Sequence, residues 1–255
     1  MIGVFDSGLG GLTALCELRR LRPDLDITYF GDTARVPYGT RSPDMICRWA
    51  EGALRFLAAR GAEAILVACG TVSSVALPRL SEKYSIPLIG VVDPAAIVAY
   101  RLSRRRVIGV IGTEATVRSR AFESALHSLG RVATVSVACP LFVSLAENGF
   151  TDPADPVTRA AAEHYLAPLR RAGIDTLILG CTHFPLLAPH IQRALPDVRL
   201  IGAGEAAAAA LVASKPRVGH GELDVFVSDA PAHFAKEAAR LLGAPLPVNV
   251  QKQVL

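Results

Sequence analysis

Lysine is scarce in this chain: Lys83, Lys215, Lys236 and Lys252 stand against 23 arginines. None of the four lies in a motif, which argues against a pyridoxal phosphate enzyme, whose chemistry needs a Schiff-base lysine. Paired cysteines are missing too. The five cysteines are an odd number and form no Cys-x-x-Cys. Neither a disulfide framework nor a dithiol redox pair is expected, and the thiols read as reduced, in a cytosol. Cys181-Thr-His183 is the one close Cys/His pair, too little for a structural zinc site, so no metal is expected. Apolar runs fall short of the roughly 18 residues that a membrane span needs. The N-terminus, Met1-Ile-Gly-Val-Phe-Asp6, shows no basic n-region, h-region or cleavage site, so export is not expected. The net charge of +4 is mild. Its one dense cluster, Arg101-Leu-Ser-Arg-Arg-Arg106, runs straight into Val107-Ile-Gly-Val-Ile111 and reads as a solvated helix end before a strand. A nucleic-acid surface would want a wider basic face with aromatics or a known module.

What is present fits a globular α/β protein: 255 residues, 51% hydrophobic and 20% charged. Short apolar runs bounded by Gly, Asp or Pro occur at 2–5, 27–30, 64–68, 88–92, 107–111, 132–137, 176–179 and 200–201. Most lead into helically spaced segments. This alternation predicts parallel sheets covered by helices on both faces. One helix is explicit over 11–21, with Leu12, Leu15, Leu18 and Leu21 on one side. Cys16 lies within it and reads as packing.

Two stretches repeat a pattern. Arg60-Gly-Ala-Glu-Ala-Ile-Leu-Val-Ala-Cys-Gly-Thr71 and Arg171-Ala-Gly-Ile-Asp-Thr-Leu-Ile-Leu-Gly-Cys-Thr-His183 each give a small turn, an acid, an apolar strand, a cysteine and a threonine. Upstream, Ile2-Gly-Val-Phe-Asp-Ser-Gly8 parallels Val107-Ile-Gly-Val-Ile-Gly-Thr113. Asp6 precedes Cys69 by 63 residues and Thr113 precedes Cys181 by 68. The chain is therefore expected to form two related α/β halves, 1–93 with 205–255 and 94–204. Each half would present a strand-end loop and a strand-end thiol to a shared cleft, because ligands of parallel sheets bind at the strands' carboxyl ends.

A thiol shuttles protons when its pKa, about 8.5 when free, is tuned by neighbours. Two thiols facing one substrate suit a reaction in which a proton leaves one face of a carbon and returns on the other. A Cys/His hydrolase would leave the second thiol unexplained. Cys47 and Cys139 lack such a context and read as structural. The Asp6-Ser7-Gly8-Leu9-Gly10-Gly11 turn lacks GxGxxG spacing. It reads either as an anion-binding loop in which Asp6 orients or ionises a neighbour, or as a helix cap formed by Ser7. Pro37 and Gly39 specify a stiff bend around Tyr38.

Four motifs carry a resemblance: Phe5-Asp-Ser-Gly-Leu-Gly-Gly-Leu12, Gly31-Asp-Thr-Ala-Arg-Val-Pro-Tyr-Gly39, Ala68-Cys-Gly-Thr71 and Gly180-Cys-Thr-His-Phe-Pro-Leu186. Together they resemble glutamate racemases of the aspartate/glutamate racemase superfamily. The resemblance implies a cofactor-independent, two-base isomerase with two pseudo-symmetric α/β domains and the active site between them. It would be a cytoplasmic homodimer that makes D-glutamate for peptidoglycan. By motif position, Cys69 would exchange the α-proton of D-glutamate with help from Asp6. Cys181 would exchange that of L-glutamate with help from His183 and Glu147. Asp6, Ser7, Tyr38, Gly39, Gly70, Thr71, Thr182 and His183 fall at substrate-contacting positions, with a further hydroxyl from Thr113 or Thr116. One departure stands out: Gly70 replaces the asparagine that usually follows the first cysteine. The glycine keeps a backbone N–H but loses a side-chain hydrogen bond. A superfamily racemase acting on aspartate, or a catalytically weak glutamate-binding paralogue, are the alternatives.

Overall fold

The computed structural model describes residues 1–255 and contains two all-parallel sheets flanked by helices. In the first half, β1 (Ile2–Asp6), α1 (Leu12–Leu21), β2 (Ile27–Gly31), α2 (Pro43–Ala59), β3 (Ala64–Val67), α3 (Gly70–Val75), α4 (Leu77–Leu80) and β4 (Leu88–Gly90) follow in turn. Next come α5 (Val92–Leu102), β5 (Val107–Gly112), α6 (Glu114–Ser119), α7 (Ala121–Leu129), β6 (Ala133–Ala138), α8 (Pro140–Glu147) and α9 (Pro156–Arg171). The chain finishes with β7 (Thr176–Leu179), α10 (Ala188–Ala194), β8 (Arg199–Gly202), α11 (Ala203–Ala213), β9 (Leu223–Val227), α12 (Pro231–Leu242) and β10 (Val250–Lys252). No helix is long and apolar enough to cross a membrane.

The sheet orders are β10-β9-β2-β1-β3-β4 and β6-β5-β7-β8. The stretch β2-β1-β3-β4 repeats as β6-β5-β7-β8. In each, the chain steps from the first strand to one neighbour, then returns to the other side. The crevice where strand order reverses lies between β1 and β3 in one sheet and between β5 and β7 in the other. Such crevices are where parallel sheets bind ligands. Register is tight there: Phe5 pairs with Val67 and Ile111 with Leu179.

Eight expected strands form, with small boundary shifts. The 88–92 run stops at Gly90, because Val92 already opens α5. β9 and β10 were not anticipated. Asp224 interrupts the apolar character of β9, where it pairs with Arg60, and β10 is an edge strand bearing Gln251 and Lys252. The arginine cluster joins α5 to β5. There the backbone N–H groups of Arg104 and Arg105 donate to Asp175, and Arg106 stacks on Tyr100.

A single cluster of 33 buried residues links the two sheets, drawing on β1, β5, β7, α1, α5 and α11. Two smaller clusters of 17 line the outer faces, one under α2 and one under α9. The halves therefore share one core rather than touching only at a rim. Cys16, expected to pack within α1, is exposed, whereas Leu12, Leu15 and Leu18 are buried. The helix turns its leucine stripe inward, and position 16 falls on the opposite face.

Candidate active site between the two sheets

Each cysteine lies just past a strand end at a crevice. Cys69 follows β3 and caps α3; Cys181 follows β7. Both are buried, at 5% and 8% exposure, yet both line one cavity of about 440 Å³ between the sheets. The strands are short and wholly buried, so their ends are held by the sheet hydrogen bonds and by the core beneath.

Around Cys69 the neighbours are hydroxyl and anion. Ser7 Oγ is 3.3 Å from Cys69 Sγ. Asp6 is fully buried; one carboxylate oxygen accepts the Gly8 N–H at 2.9 Å and the other has no partner. Burial raises the Asp6 pKa, opposed by His183 and by backbone N–H groups of the loop. Burial pushes the Cys69 thiol up to about 12; the Asp6 charge adds to the rise and the Ser7 hydroxyl opposes it. Ser7 does not cap α1, whose N-cap is Gly11 with no side-chain bond.

Around Cys181 the neighbour is a cation. His183 Nδ1 is 3.7 Å from Cys181 Sγ, and Nε2 is 3.1 Å from Glu147 Oε1, an ion-pair distance without hydrogen-bond alignment. Burial alone would lower the His183 pKa. The sulfur and the Glu147 carboxylate outweigh it and raise the pKa to about 10.

The two halves meet along a seam of very close approaches. Thr71 and Thr113 share a hydroxyl contact of 2.9 Å, and Thr13 Oγ1 donates to the Thr182 carbonyl at 3.3 Å. Three glycines of the first half lie against the second. A Cβ on Gly39 would come within 2.7 Å of Thr113 Cβ; one on Gly10 would overlap Thr182, and one on Gly70 would overlap the Gly180 carbonyl oxygen. The Gly180 backbone thus occupies the space that a side chain at 70 would need.

Most residues singled out in the sequence line the cavity: Ser7, Tyr38, Gly39, Cys69, Gly70, Thr71, Thr113, Glu147, Cys181, Thr182 and His183. Two do not. Asp6 lies behind Ser7, too deeply buried to reach a ligand directly. Thr116 is 2% exposed and bonds Thr113 at 3.0 Å, so of the two threonines it is Thr113 that lines the cavity. Tyr38 turns its hydroxyl away to Asp32, 2.5 Å distant, and gives the cavity its ring and backbone. No arginine or lysine lines the cavity. Its polar lining consists of hydroxyls, backbone, His183 and the acids Glu147 and Glu114. The sequence reading missed the apolar wall from α8, formed by Pro140, Leu141 and Val143 with Ser144. The signal was available: 140, 143, 144 and 147 share one helical face, and Glu147 was already in view.

Comparison with known proteins agrees with this geometry. The family model for Asp/Glu/Hydantoin racemases matches residues 11–211. The glutamate racemase of Geobacter metallireducens is 44% identical, covering 96% of this chain and 93% of that protein. The crystal structure of glutamate racemase isoform RacE1 from Bacillus anthracis superposes with a TM-score of 0.93 at 36% identity, over 100% of this chain and 97% of that one. The Francisella tularensis glutamate racemase, solved in complex with D-glutamate, gives a TM-score of 0.88 at 33% identity over 100% and 96%. This chain is an isomerase and belongs to the Asp/Glu/hydantoin racemase family.

Proposed function

We propose that this enzyme interconverts L- and D-glutamate by a two-base mechanism and supplies D-glutamate for peptidoglycan. The observation that carries the reading is that Cys69 and Cys181 line one cavity from opposite halves of a repeated topology. An α-carbon held between them would present its hydrogen to one sulfur and its opposite face to the other. Support for glutamate comes from relatives of that name over nearly the whole chain and from the D-glutamate bound in one of them.

In the L-to-D direction, Cys181 acts as a thiolate beside the His183 cation and takes the α-proton. The electron pair left on carbon delocalises into the carboxylate. Cys69 then delivers its S–H proton to the opposite face, leaving a Cys69 thiolate that Ser7 steadies. The reverse direction exchanges the roles. Proton transfer of this kind contributes about 10²–10⁴-fold per group. Hydroxyls and backbone donors at Ser7, Thr71, Thr113 and Thr182 hold the two carboxylates. Asp6 acts through Ser7 and Cys69 rather than on the substrate. The reaction needs no cofactor, the role belongs to the cytoplasm, and a homodimer follows from the same family reading, which sedimentation tests.

Incubating the enzyme with L-glutamate in D2O, with no added cofactor, should give D-glutamate carrying α-deuterium. Undiminished racemisation in a Cys69→Ala, Cys181→Ala double variant would overturn the two-thiol mechanism. Aspartate in the same assay reads the alternative substrate. Tight glutamate binding without α-exchange would identify a binding paralogue instead.

A further inference from the structure

We propose that Arg240 is a positioning residue for the Cys181 side of the site: it reaches from α12 to the end of α8 and fixes where Glu147 stands beside His183. The inference rests on the glutamate racemase reading above. A helix leaves its last four carbonyls without intrahelical partners. For α8 these belong to Ser144, Leu145, Ala146 and Glu147. The following turn serves three of them: Asn148 N–H donates to Ser144, Phe150 N–H to Leu145 and Gly149 N–H to Ala146. The Glu147 carbonyl is the one left, and Arg240 Nη2 donates to it from the other half of the molecule.

The arrangement is built from both sides. On α12, Arg240 Nε donates to Glu237 Oε2 at 2.8 Å, which holds the guanidinium one turn back on its own helix. On the α8 side, Gly149 takes a φ of +80°, and a Cβ there would overlap Arg240 Nη1. The positive φ favours a glycine there, and the missing side chain leaves room for the guanidinium. A cation at a helix C-terminus is also favoured by the helix dipole. The residue whose carbonyl is held carries the carboxylate that stands 3.1 Å from His183 Nε2. Glu147 is 39% exposed in its side chain, so little packing fixes it and its backbone anchor matters. α12 belongs with the first sheet and α8 with the second, so the contact joins the two halves at Glu147, which also lines the cavity of the cysteines.

The test compares wild type with Arg240→Met, which keeps the stem and removes the donors, with Arg240→Lys, and with Glu237→Ala. Expected for Arg240→Met is a fall in kcat of about tenfold, the scale of a displaced catalytic neighbour. Arg240→Lys should recover part of it, and Glu237→Ala should show a smaller loss in the same direction. The primary deuterium isotope effect on kcat/KM should rise with α-deuterated L-glutamate, where Cys181 takes the proton. It should fall with the D-enantiomer, where Cys69 does. Isotope effects unchanged from wild type, at any rate, would overturn the proposal, since loss of folded enzyme alone leaves them unmoved. If wild type itself exchanges no α-hydrogen, it is the glutamate reading that fails. The His183 ring, which faces Cys181, Glu147 and Asp6, still reports the clasp through its NMR titration. Arg240→Met should then lower its titration point, and an unshifted titration would overturn the inference.

Discussion

The two thiol-bearing strand ends are alike in topology and opposite in charge. Cys69 and Cys181 follow equivalent strands of the repeated sheet pattern and share a cavity. Yet burial and a buried carboxylate keep Cys69 a neutral thiol, against the opposing pull of the Ser7 hydroxyl. Cys181 lies beside a histidine that its surroundings hold as a cation. The difference teaches how a symmetric fold runs a reaction that needs one acid and one base at the outset. Backbone symmetry brings the two sulfurs to one cavity from opposite halves, and in the proposed mechanism their unlike neighbours decide which one carries the proton.

The strongest way to break that comparison is to remove one sulfur at a time. Cys69→Ala and Cys181→Ala should each lose racemisation by roughly 10³-fold. Cys69→Ala should still exchange the α-hydrogen of L-glutamate in D2O, and Cys181→Ala that of the D-enantiomer alone. NMR of recovered substrate reads both, and equal residual exchange from the two enantiomers in either variant would erase the assignment of faces.

The charge difference can be probed without substrate. In a Cys16→Ser, Cys47→Ser background, iodoacetamide at pH 8 should label Cys181 ahead of Cys69, as a thiol held up near 12 is almost wholly protonated there. Raising the pH should bring Cys69 into reach. The sign follows from linkage. A group whose folded pKa is raised contributes stability that is complete below its unfolded value, near 9.0 for this thiol, and that is lost as pH climbs towards 12. Peptide mass spectrometry measures the order of labelling; Cys69 labelled first at pH 8 would invert the comparison.

How much of this was legible beforehand depends on what each feature is made of. The paired thiols, the strand–loop repeats and eight strands stand out because they are local and apolar. The seam was not legible, since no pattern in a sequence says that Gly10, Gly39 and Gly70 each face the opposite half. Gly70 read as a missing side chain, whereas it is a point of contact between the two cysteine loops. Asp6 was placed at the substrate, and Thr116 was left level with Thr113, because motifs record which residues matter, not how deep they lie. β10 escaped because an edge strand with Gln251 and Lys252 carries no apolar run, and β9 because Asp224 interrupts its apolar residues.

Gly70 gives the next test. Gly70→Ala drives a methyl into the Gly180 carbonyl, next in sequence to Cys181, so the two loops must part. Overpacking of this kind costs about 1–3 kcal/mol. The misplacement of the sulfurs should lower kcat/KM by roughly 10–100-fold, with Gly70→Asn no better. Gly52→Ala is the control, since its Cβ would meet only Leu255 at 3.6 Å in ordinary contact. It should keep full activity and a thermal midpoint no lower than wild type. A fully active Gly70→Ala would show that the spacing of the loops is not what the glycine protects.

The finest difference lies in one hydroxyl. Ser7 is the side chain that lowers the Cys69 pKa against burial and Asp6, and Cys181 has a histidine in the corresponding role. A hydrogen bond of this kind contributes about 0.5–1.5 kcal/mol, so Ser7→Ala should lower kcat from D-glutamate by roughly 2–13-fold. In that direction Cys69 must hold a negative charge in order to take the proton, and the Ser7 hydroxyl is the side chain that donates to it. From L-glutamate Cys69 merely gives up a proton at the end, and a thiol left less stable as an anion is the slower donor only late in the reaction. The isotope effect with α-deuterated D-glutamate should therefore rise and that with L-glutamate fall, the mirror image of the pattern expected at Arg240. The same shift for both enantiomers would mean that Ser7 only holds substrate and does not tune Cys69, and the contrast between the two thiols would then rest on burial and Asp6 alone.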